Sequence, residues 1–318
     1  MAVINETGSF RRLSLSDEET LTVKDHGPIA GNNKLPVHTV KKAAKELNET
    51  EENKQREIAE LRSLIDERAK LVSDEEKEEA DRVVTTFRAK PDDVMVKFLR
   101  ARKYDAERAY DLMRGYVGYR LKYPEVVSSI TQKEVRHSME IGQPGVLPSR
   151  DAKGRVVMFF RFETWDPLLR PFTEIMQSFV YILEKLLESC ETQINGVCII
   201  EDFSGYTFAQ VAAVSIAEYK QMIDMLQGSF PCRFKGIHCI RQPWYFAKAF
   251  SFIKPYLRAK LFERVHVYGE ELEVFFNEFS RDFLPSDFGG TAPPYDGVAA
   301  ANALFGPNEN DSDEDTSL

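Results

Sequence analysis

The chain has 318 residues, of which 43% are hydrophobic, so it is long enough and apolar enough to form a globular fold with a sizeable core. No segment holds the roughly 18 to 20 uncharged apolar residues of a membrane span, and the start lacks the pattern of a secretory signal. The net charge of −9 is unevenly distributed along the chain. Residues 46–81 and 309–318 together carry a net negative charge larger than that of the whole chain. The rest of the chain is therefore net positive and can form a basic surface.

The first part of the chain predicts an arm followed by helices. Residues 1–35 lack any periodicity, which predicts a mobile N-terminal arm. Over residues 36–130, apolar residues recur at helical spacing among many charged ones. Asp105 stands at the N-cap position of one of these helices, and Pro124 ends it. This part is therefore predicted to be an all-helical subdomain.

Strands and helices alternate in the second part, which predicts an α/β domain over residues 135–296. A run apolar on both faces, as at residues 195–202, is typical of a central parallel strand. Strand-helix-strand repetition predicts parallel pairing with right-handed crossovers. Residues 297–318 are predicted to form an acidic C-terminal tail. The predicted strands cover residues 155–162, 195–202 and 236–240.

The sequence carries no recognisable catalytic or metal-binding motif. It has no nucleophile elbow, phosphate-binding loop, dinucleotide fingerprint or H-E-x-x-H pattern. His238 and Cys239 are neighbours on a strand and so point to opposite faces, where they cannot share a metal. The four cysteines lie in apolar runs without a C-x-x-C pair, which predicts reduced, buried thiols in a cytoplasmic protein. We expect neither catalytic residues nor a metal, and a protein that is not an enzyme.

Aromatic residues crowd the segment 243–256 and fall on nearly every side of a helix. A helix that is apolar all round packs against partners on more than one face. The segment is therefore either a buried core helix or a helix that covers a ligand cavity.

Glu201 ends a strand that is otherwise apolar, at the edge where open α/β sheets bind ligands. Apolar surroundings raise the pKa of a carboxyl, so Glu201 could donate a hydrogen bond to a carbonyl when protonated or accept one from an alcohol when ionised. It could equally cap a helix or pair with a lysine. Met222 and Met225 share a helix and form either an adaptable apolar lining or ordinary core.

Several motifs in the same order resemble the CRAL-TRIO lipid-binding family over nearly the whole chain. Among the members of that family, the resemblance is to its retinaldehyde carriers. The motifs are Lys24-Asp25-His26-Gly27-Pro28, Phe98-Leu99-Arg100-Ala101-Arg102-Lys103, Glu191-Thr192-Gln193-Ile194-Asn195-Gly196, Phe230-Pro231-Cys232-Arg233-Phe234-Lys235, Gln242-Pro243-Trp244-Tyr245-Phe246 and Leu284-Pro285-Ser286-Asp287-Phe288-Gly289-Gly290.

The resemblance implies an N-terminal all-helical subdomain followed by a CRAL-TRIO α/β lipid-binding domain, closed by a mobile gate helix over residues 244–256. It implies 11-cis-retinal or 11-cis-retinol as a non-covalent ligand, with no other cofactor, protected and presented in the visual cycle. Tocopherol or phosphoinositide transfer is the alternative. The residues at pocket positions are Phe160, Trp165, Phe179, Val197, Glu201, Gln221, Met222 and Met225.

Three of these positions depart from the retinaldehyde carriers. Phe179 replaces a tyrosine, Val197 a phenylalanine and Gln221 a lysine. Loss of the lysine is expected to favour neutral Glu201, because a possible ion-pair partner is gone. Loss of the phenylalanine is expected to enlarge the cavity.

A basic surface for anionic phospholipid headgroups is the second implied site. Residues 94–103 carry four bases and no acid, and each base near an anionic bilayer contributes about 1 kcal/mol. The same bases could instead complement a helix end. The residues at headgroup positions are Lys97, Arg100, Arg102, Lys103, Arg150, Lys153, Arg233 and Lys260.

The C-terminus, Thr316-Ser317-Leu318, has the form that PDZ domains capture by strand addition, although it could also be a plain solubilising tail. The acidic total and the lack of a recognisable module argue against nucleic-acid binding. The chain has no repeat or heptad run, so we expect a monomer.

Overall fold

The structure is a computed structural model. It describes residues 35–307 except 69, 71–73, 128 and 129. It also gives the backbone of two short strands inside the predicted arm, β1 (Ala2–Ile4) and β2 (Phe10–Arg12), which pair antiparallel. The predicted PDZ motif Thr316-Ser317-Leu318 lies outside the described residues.

Within the described residues, the first part of the chain folds into helices, which confirms the predicted helical region. Their shared core contains Leu61, Leu99 and Met113, none of which has an exposed side chain. The Asp105 carboxylate accepts a hydrogen bond from the Arg108 backbone N–H at 3.0 Å, as its N-cap position predicted. The helices are α1 (Val37–Leu47), α2 (Glu51–Arg68), α3 (Asp74–Phe87), α4 (Asp92–Ala101) and α5 (Ala106–Lys122).

A five-stranded sheet organises the second part. Its strand order follows the chain, and all neighbours are parallel except the first pair, which is antiparallel. The predicted parallel sheet is confirmed, and the structure adds a short strand at each edge. The strands are β3 (Gly145–Val146), β4 (Val156–Arg161), β5 (Val197–Asp202), β6 (Phe234–Ile240) and β7 (Val265–Val267).

Helices connect and cover these strands. A π-helical turn, Met225–Ser229, continues α11 and lies against α5. The helices are α6 (Pro124–Val127), α7 (Gln132–Glu140), α8 (Phe172–Leu186), α9 (Cys190–Asn195), α10 (Phe208–Ala213), α11 (Ile216–Asp224), α12 (Phe246–Ile253), α13 (Ala259–Phe262), α14 (Phe275–Glu278) and α15 (Gly297–Phe305).

The two faces of the sheet differ in how they are packed. Because side chains alternate along a strand, Cys198 and Ile200 of β5 point to one face, while Ile199 and Glu201 point to the other. The first face packs closely against aromatic residues such as Phe275. The second face lines a cavity at its carboxyl half.

Two sequence expectations differ from the structure. Residues 297–305 of the predicted acidic tail form α15, which Asp296 caps and which buries Ala300 and Ala301 against the core. The sequence analysis assigned residues 297–318 to a single tail because of the acids from residue 309 onward, and so it missed the apolar residues that form α15. All four cysteines lie among the described residues without a disulfide, but Cys190 is exposed where burial was expected, because it begins the short helix α9. Within the described residues, every helix falls short of the length or apolar character needed to cross a bilayer.

Gly115 and Gly118 of α5 give a matched test of how the helical region packs on the π turn. A β-carbon on Gly115 would lie 2.1 Å from the Gly228 carbonyl oxygen, whereas one on Gly118 would lie 3.5 Å from the nearest atom. We expect Gly115→Ala to lower the free energy of unfolding by roughly 2 kcal/mol, because backbone must move. We expect Gly118→Ala to raise it by about 0.5 to 1 kcal/mol, because alanine favours a helix. Urea denaturation measures both, and equal effects would contradict the close backbone contact.

Candidate ligand-binding cavity

The floor of the cavity consists of two rows of side chains that run across the parallel strands. Strand register places Phe160, Glu201 and Cys239 side by side on β4, β5 and β6. The second row lies two residues earlier on β5 and β6. There Ile199 is next to Ile237, and Ile237 is next to Val265 on β7. The floor is therefore apolar except for one carboxyl and one thiol.

The walls come from α8, α11, the π turn and α12. The cavity has a volume of about 150 Å³. That volume is smaller than the roughly 300 to 1,000 Å³ of typical small-molecule sites. The wall residues include Ile175, Met176, Phe179, Tyr219, Met222, Ile223, Met225, Leu226, Phe246, Ala249, Phe250 and Ile253.

Glu201 is the one carboxyl in the cavity lining. Burial raises its pKa to about 7. Its side chain is half-buried and lines the cavity. Within the described residues, no donor lies within hydrogen-bonding distance of its carboxylate, so the helix-capping and lysine-pairing alternatives do not hold here. A polar group of a ligand can reach it.

Two tyrosines supply the other polar atoms of this region. Tyr206 follows β5 and Tyr219 lies on α11, and their hydroxyl oxygens are 3.5 Å apart. Both residues line the cavity. Sequence reasoning missed them, although Tyr219 precedes Met222 by three residues and so shares its helix face.

Helix α12 lies over the cavity. Phe246, Ala249, Phe250 and Ile253 face inward and line it, while Phe252 on the other side is exposed. The structure therefore favours a helix that covers a ligand cavity over an ordinary core helix. The movement of this helix, predicted as a gate, stays a prediction.

Five of the eight predicted pocket residues line the cavity, and three do not. The five are Phe160, Phe179, Glu201, Met222 and Met225. Trp165 lies one layer behind, with its ring 5.9 Å from the Phe160 ring and its indole N–H donating to the Arg170 carbonyl at 2.9 Å.

Val197 and Gln221 lie away from the cavity. Val197 begins β5, about 13 Å along the strand from Glu201, and packs between Val156 and Phe234. The Gln221 amide donates to the Glu125 carboxylate at 2.7 Å at the surface. The expected effects of these two substitutions on cavity size and on Glu201 therefore have no basis in the structure. Burial alone accounts for the raised pKa of Glu201.

Three predicted headgroup residues belong to one basic cluster. Burial, Arg108 and Arg258 lower the pKa of Arg102 to about 10. Burial and the surrounding cations also lower the pKa of Lys260. We call this group the basic cluster: Arg102, Lys103, Arg108, Arg258, Lys260 and Arg264.

Most other predicted headgroup residues form internal contacts. Arg100 binds Glu49 through two hydrogen bonds, of 2.6 and 2.9 Å, and Arg150 is 1% exposed beside Thr192 and Glu191. The ion-pair partners of Lys153 and Arg233 are, respectively, Glu278 and Glu46. Lys97 lines a separate cleft beside Arg100. Arg100, Arg150, Lys153 and Arg233 are thus held by internal contacts. Burial and then Arg233 lower the pKa of Arg264, so Arg233 lies near the basic cluster.

Comparison with known proteins identifies the two parts of the chain. The family model for the CRAL/TRIO domain matches residues 141–290, and the model for the CRAL/TRIO N-terminal domain matches residues 57–115. Clavesin-1 from Xenopus laevis is 33% identical over 284 residues, which cover 89% of this chain and 81% of that protein. Alpha-tocopherol transfer protein-like from Mus musculus is 32% identical over 277 residues, which cover 87% of this chain and 76% of that protein. The crystal structure of Sfh5 matches with a TM-score of 0.41 and 11% identity, and the match covers 69% of this chain and 81% of that chain.

The raised pKa of Glu201 predicts a pH dependence of stability. The pKa is about 7 in the folded chain against an ordinary value of 4.5, so the folded state binds the proton more tightly. The stabilisation is complete below about pH 4.5 and is lost as the pH rises through 7. Relative to Glu201→Gln, the wild-type free energy of unfolding should fall by at most about 3 kcal/mol between pH 5 and pH 8. Urea titrations with Glu60→Gln as a surface control test this, and parallel curves for wild type and Glu201→Gln would contradict it.

Proposed function

The chain belongs to the CRAL/TRIO family of lipid-binding proteins, and we propose that it carries one hydrophobic small molecule in the cavity beneath α12. The observation that carries this proposal is an apolar cavity with a single carboxyl at the end of the central strand. Such a site encloses the apolar body of a ligand and fixes its one polar end.

The composition of the cavity favours a neutral lipid. Its lining contains no lysine or arginine, so a phosphate group enclosed there would lack a cationic partner and would be costly to bury. A phosphoinositide therefore fits the surface better than the cavity. We propose 11-cis-retinal or 11-cis-retinol as the enclosed ligand, to be protected and presented in the visual cycle, on the resemblance of the sequence motifs to the retinaldehyde carriers.

Tocopherol is the alternative ligand. It is also a largely apolar molecule with one hydroxyl, and one relative of this chain is named for tocopherol transfer. The same carboxyl could accept the hydrogen bond of either alcohol. Binding assays with both lipids separate the two.

The chemistry of the cavity supports a carrier and not an enzyme. Burial raises the pKa of Cys239 far above its usual value, so the thiol next to Glu201 stays protonated. His238, its neighbour in the chain, lies on the other face of the sheet and bonds to Tyr268. The lining therefore lacks an activated nucleophile with a base to assist it.

The basic cluster supports peripheral contact with an anionic phospholipid surface. Burial and then neighbouring cations lower the pKa of Arg102 and of Lys260, and a nearby anion would oppose the effect of those cations. Arg258 and Lys260 follow α12 in the chain, so a surface bound there would lie near the cover of the cavity. We also propose a monomer in the cytoplasm, where unpaired cysteines persist.

Two alanines of α12 give a matched test of the cavity. Ala249 lines the cavity, whereas Ala247 is exposed on the same helix. We expect Ala249→Trp to weaken binding of 11-cis-retinal at least tenfold, because the indole occupies the ligand's space, and Ala247→Trp to leave it unchanged. Absorbance of retinal bound after gel filtration measures both, and α-tocopherol is titrated in parallel. Wild-type protein that binds neither lipid would contradict the carrier proposal.

Charge reversal tests the membrane surface. We expect Lys103→Glu/Lys260→Glu to reduce binding to vesicles of phosphatidylserine and phosphatidylcholine by about tenfold or more at 0.1 M salt. The control Lys41→Glu/Lys133→Glu changes the net charge equally at exposed positions outside the cluster. Vesicle flotation gives the bound fraction, and equal losses in the two variants would show that only net charge matters.

A further inference from the structure

Tyr206 and Tyr219 place two phenol groups in a cavity that is otherwise almost wholly apolar. Their hydroxyl oxygens are 3.5 Å apart. Aromatic rings surround the pair, with Phe162 4.6 Å from the Tyr206 ring and Phe172 6.3 Å from the Tyr219 ring. Within the described residues, neither hydroxyl has another hydrogen-bond partner. The pair is therefore held by packing and not by a wider polar network.

Counting hydrogens shows what the pair offers. Each phenol has one O–H donor, and one of the two is used between the tyrosines. The second O–H is left over and can point into the cavity. Burial raises the pKa of both hydroxyls, and the charge of Glu201 raises them further, so both stay protonated and Glu201 lies close enough to act on them.

We propose that the Tyr206–Tyr219 hydroxyl pair is the second polar contact of the ligand, next to Glu201, and selects lipids that end in an alcohol or aldehyde oxygen. This inference rests on the proposed carrier function and adds the determinant of head-group selectivity. Sequence reasoning identified one polar contact, Glu201, and noted that Phe179 replaces a tyrosine, so that no hydroxyl is present at that position.

The two contacts complement each other. An alcohol donates its O–H to ionised Glu201 and accepts the spare tyrosine O–H on the same oxygen. An aldehyde only accepts, so it needs a donor. The tyrosine pair supplies one at any pH near neutrality, whereas Glu201 supplies one only while it is protonated.

The test compares wild type with Tyr206→Phe/Tyr219→Phe in two assays. The first assay takes the affinity ratio between retinol and axerophthene, the hydrocarbon in which a methyl replaces the terminal CH2OH, and between α-tocopherol and its 6-deoxy analogue. We expect each ratio to be about three- to tenfold smaller in the double variant than in wild type, because one neutral hydrogen bond is removed. Tyr268→Phe is the matched control, since its buried hydroxyl bonds to His238 on the opposite face of the sheet.

The second assay measures retinal affinity from pH 6 to pH 8.5 and separates a direct contact from a packing role. In wild type the affinity should fall no more than about threefold as Glu201 ionises. In the double variant it should fall about tenfold, because protonated Glu201 is then the only donor left.

The outcomes are distinct. A reduced ratio together with a steeper pH profile supports the inference. Unchanged ratios and profiles in a variant that still binds these lipids overturn the inference and leave the carrier function standing. A wild-type protein that binds none of the five lipids of the two assays overturns both.

Discussion

The structure depends on the alternation of side chains along the central strand β5. One set of its residues packs against aromatic core, and the other set, ending in Glu201, faces the cavity. Because neighbouring strands are parallel and in register, each cavity residue of β5 has a neighbour on β4 and on β6. The same sheet therefore supplies a rigid filled layer and an open binding layer, and the strand end sets where the polar end of a ligand lies.

Long-range ion pairs hold the end of α1 in place. Glu46 of α1 pairs with Arg233, just before β6, and so joins the helical region to the sheet. Glu49, just beyond α1, pairs with Arg100 of α4 within the helical region. These pairs are partly or largely buried, so losing one partner would leave a charge without compensation. They also divide the basic residues into those that hold the fold together and those left at the surface in the basic cluster.

Much of the fold could be predicted from sequence, because periodicity and turn residues reveal helices and central strands. The short edge strands could not, since two or three residues carry no period. Glu201, Met222 and Met225 could be placed at the cavity, but Val197 and Gln221 could not be excluded, because matching a family position does not show which way a side chain points. Arg100 and Arg233 look like surface bases in the sequence, since their acidic partners lie far away along the chain.

The close approach of Gly115 to the Gly228 carbonyl also bears on the mechanical character of the cavity. The π turn begins at Met225, which lines the cavity, and it packs directly against α5. This wall therefore cannot move outward without displacing α5. Another wall, α12, lines the cavity with Phe246, Ala249, Phe250 and Ile253 and is exposed on its outer side at Phe252. The cavity thus has one stiff wall and one compliant wall, and we expect differences in ligand bulk to be absorbed at α12.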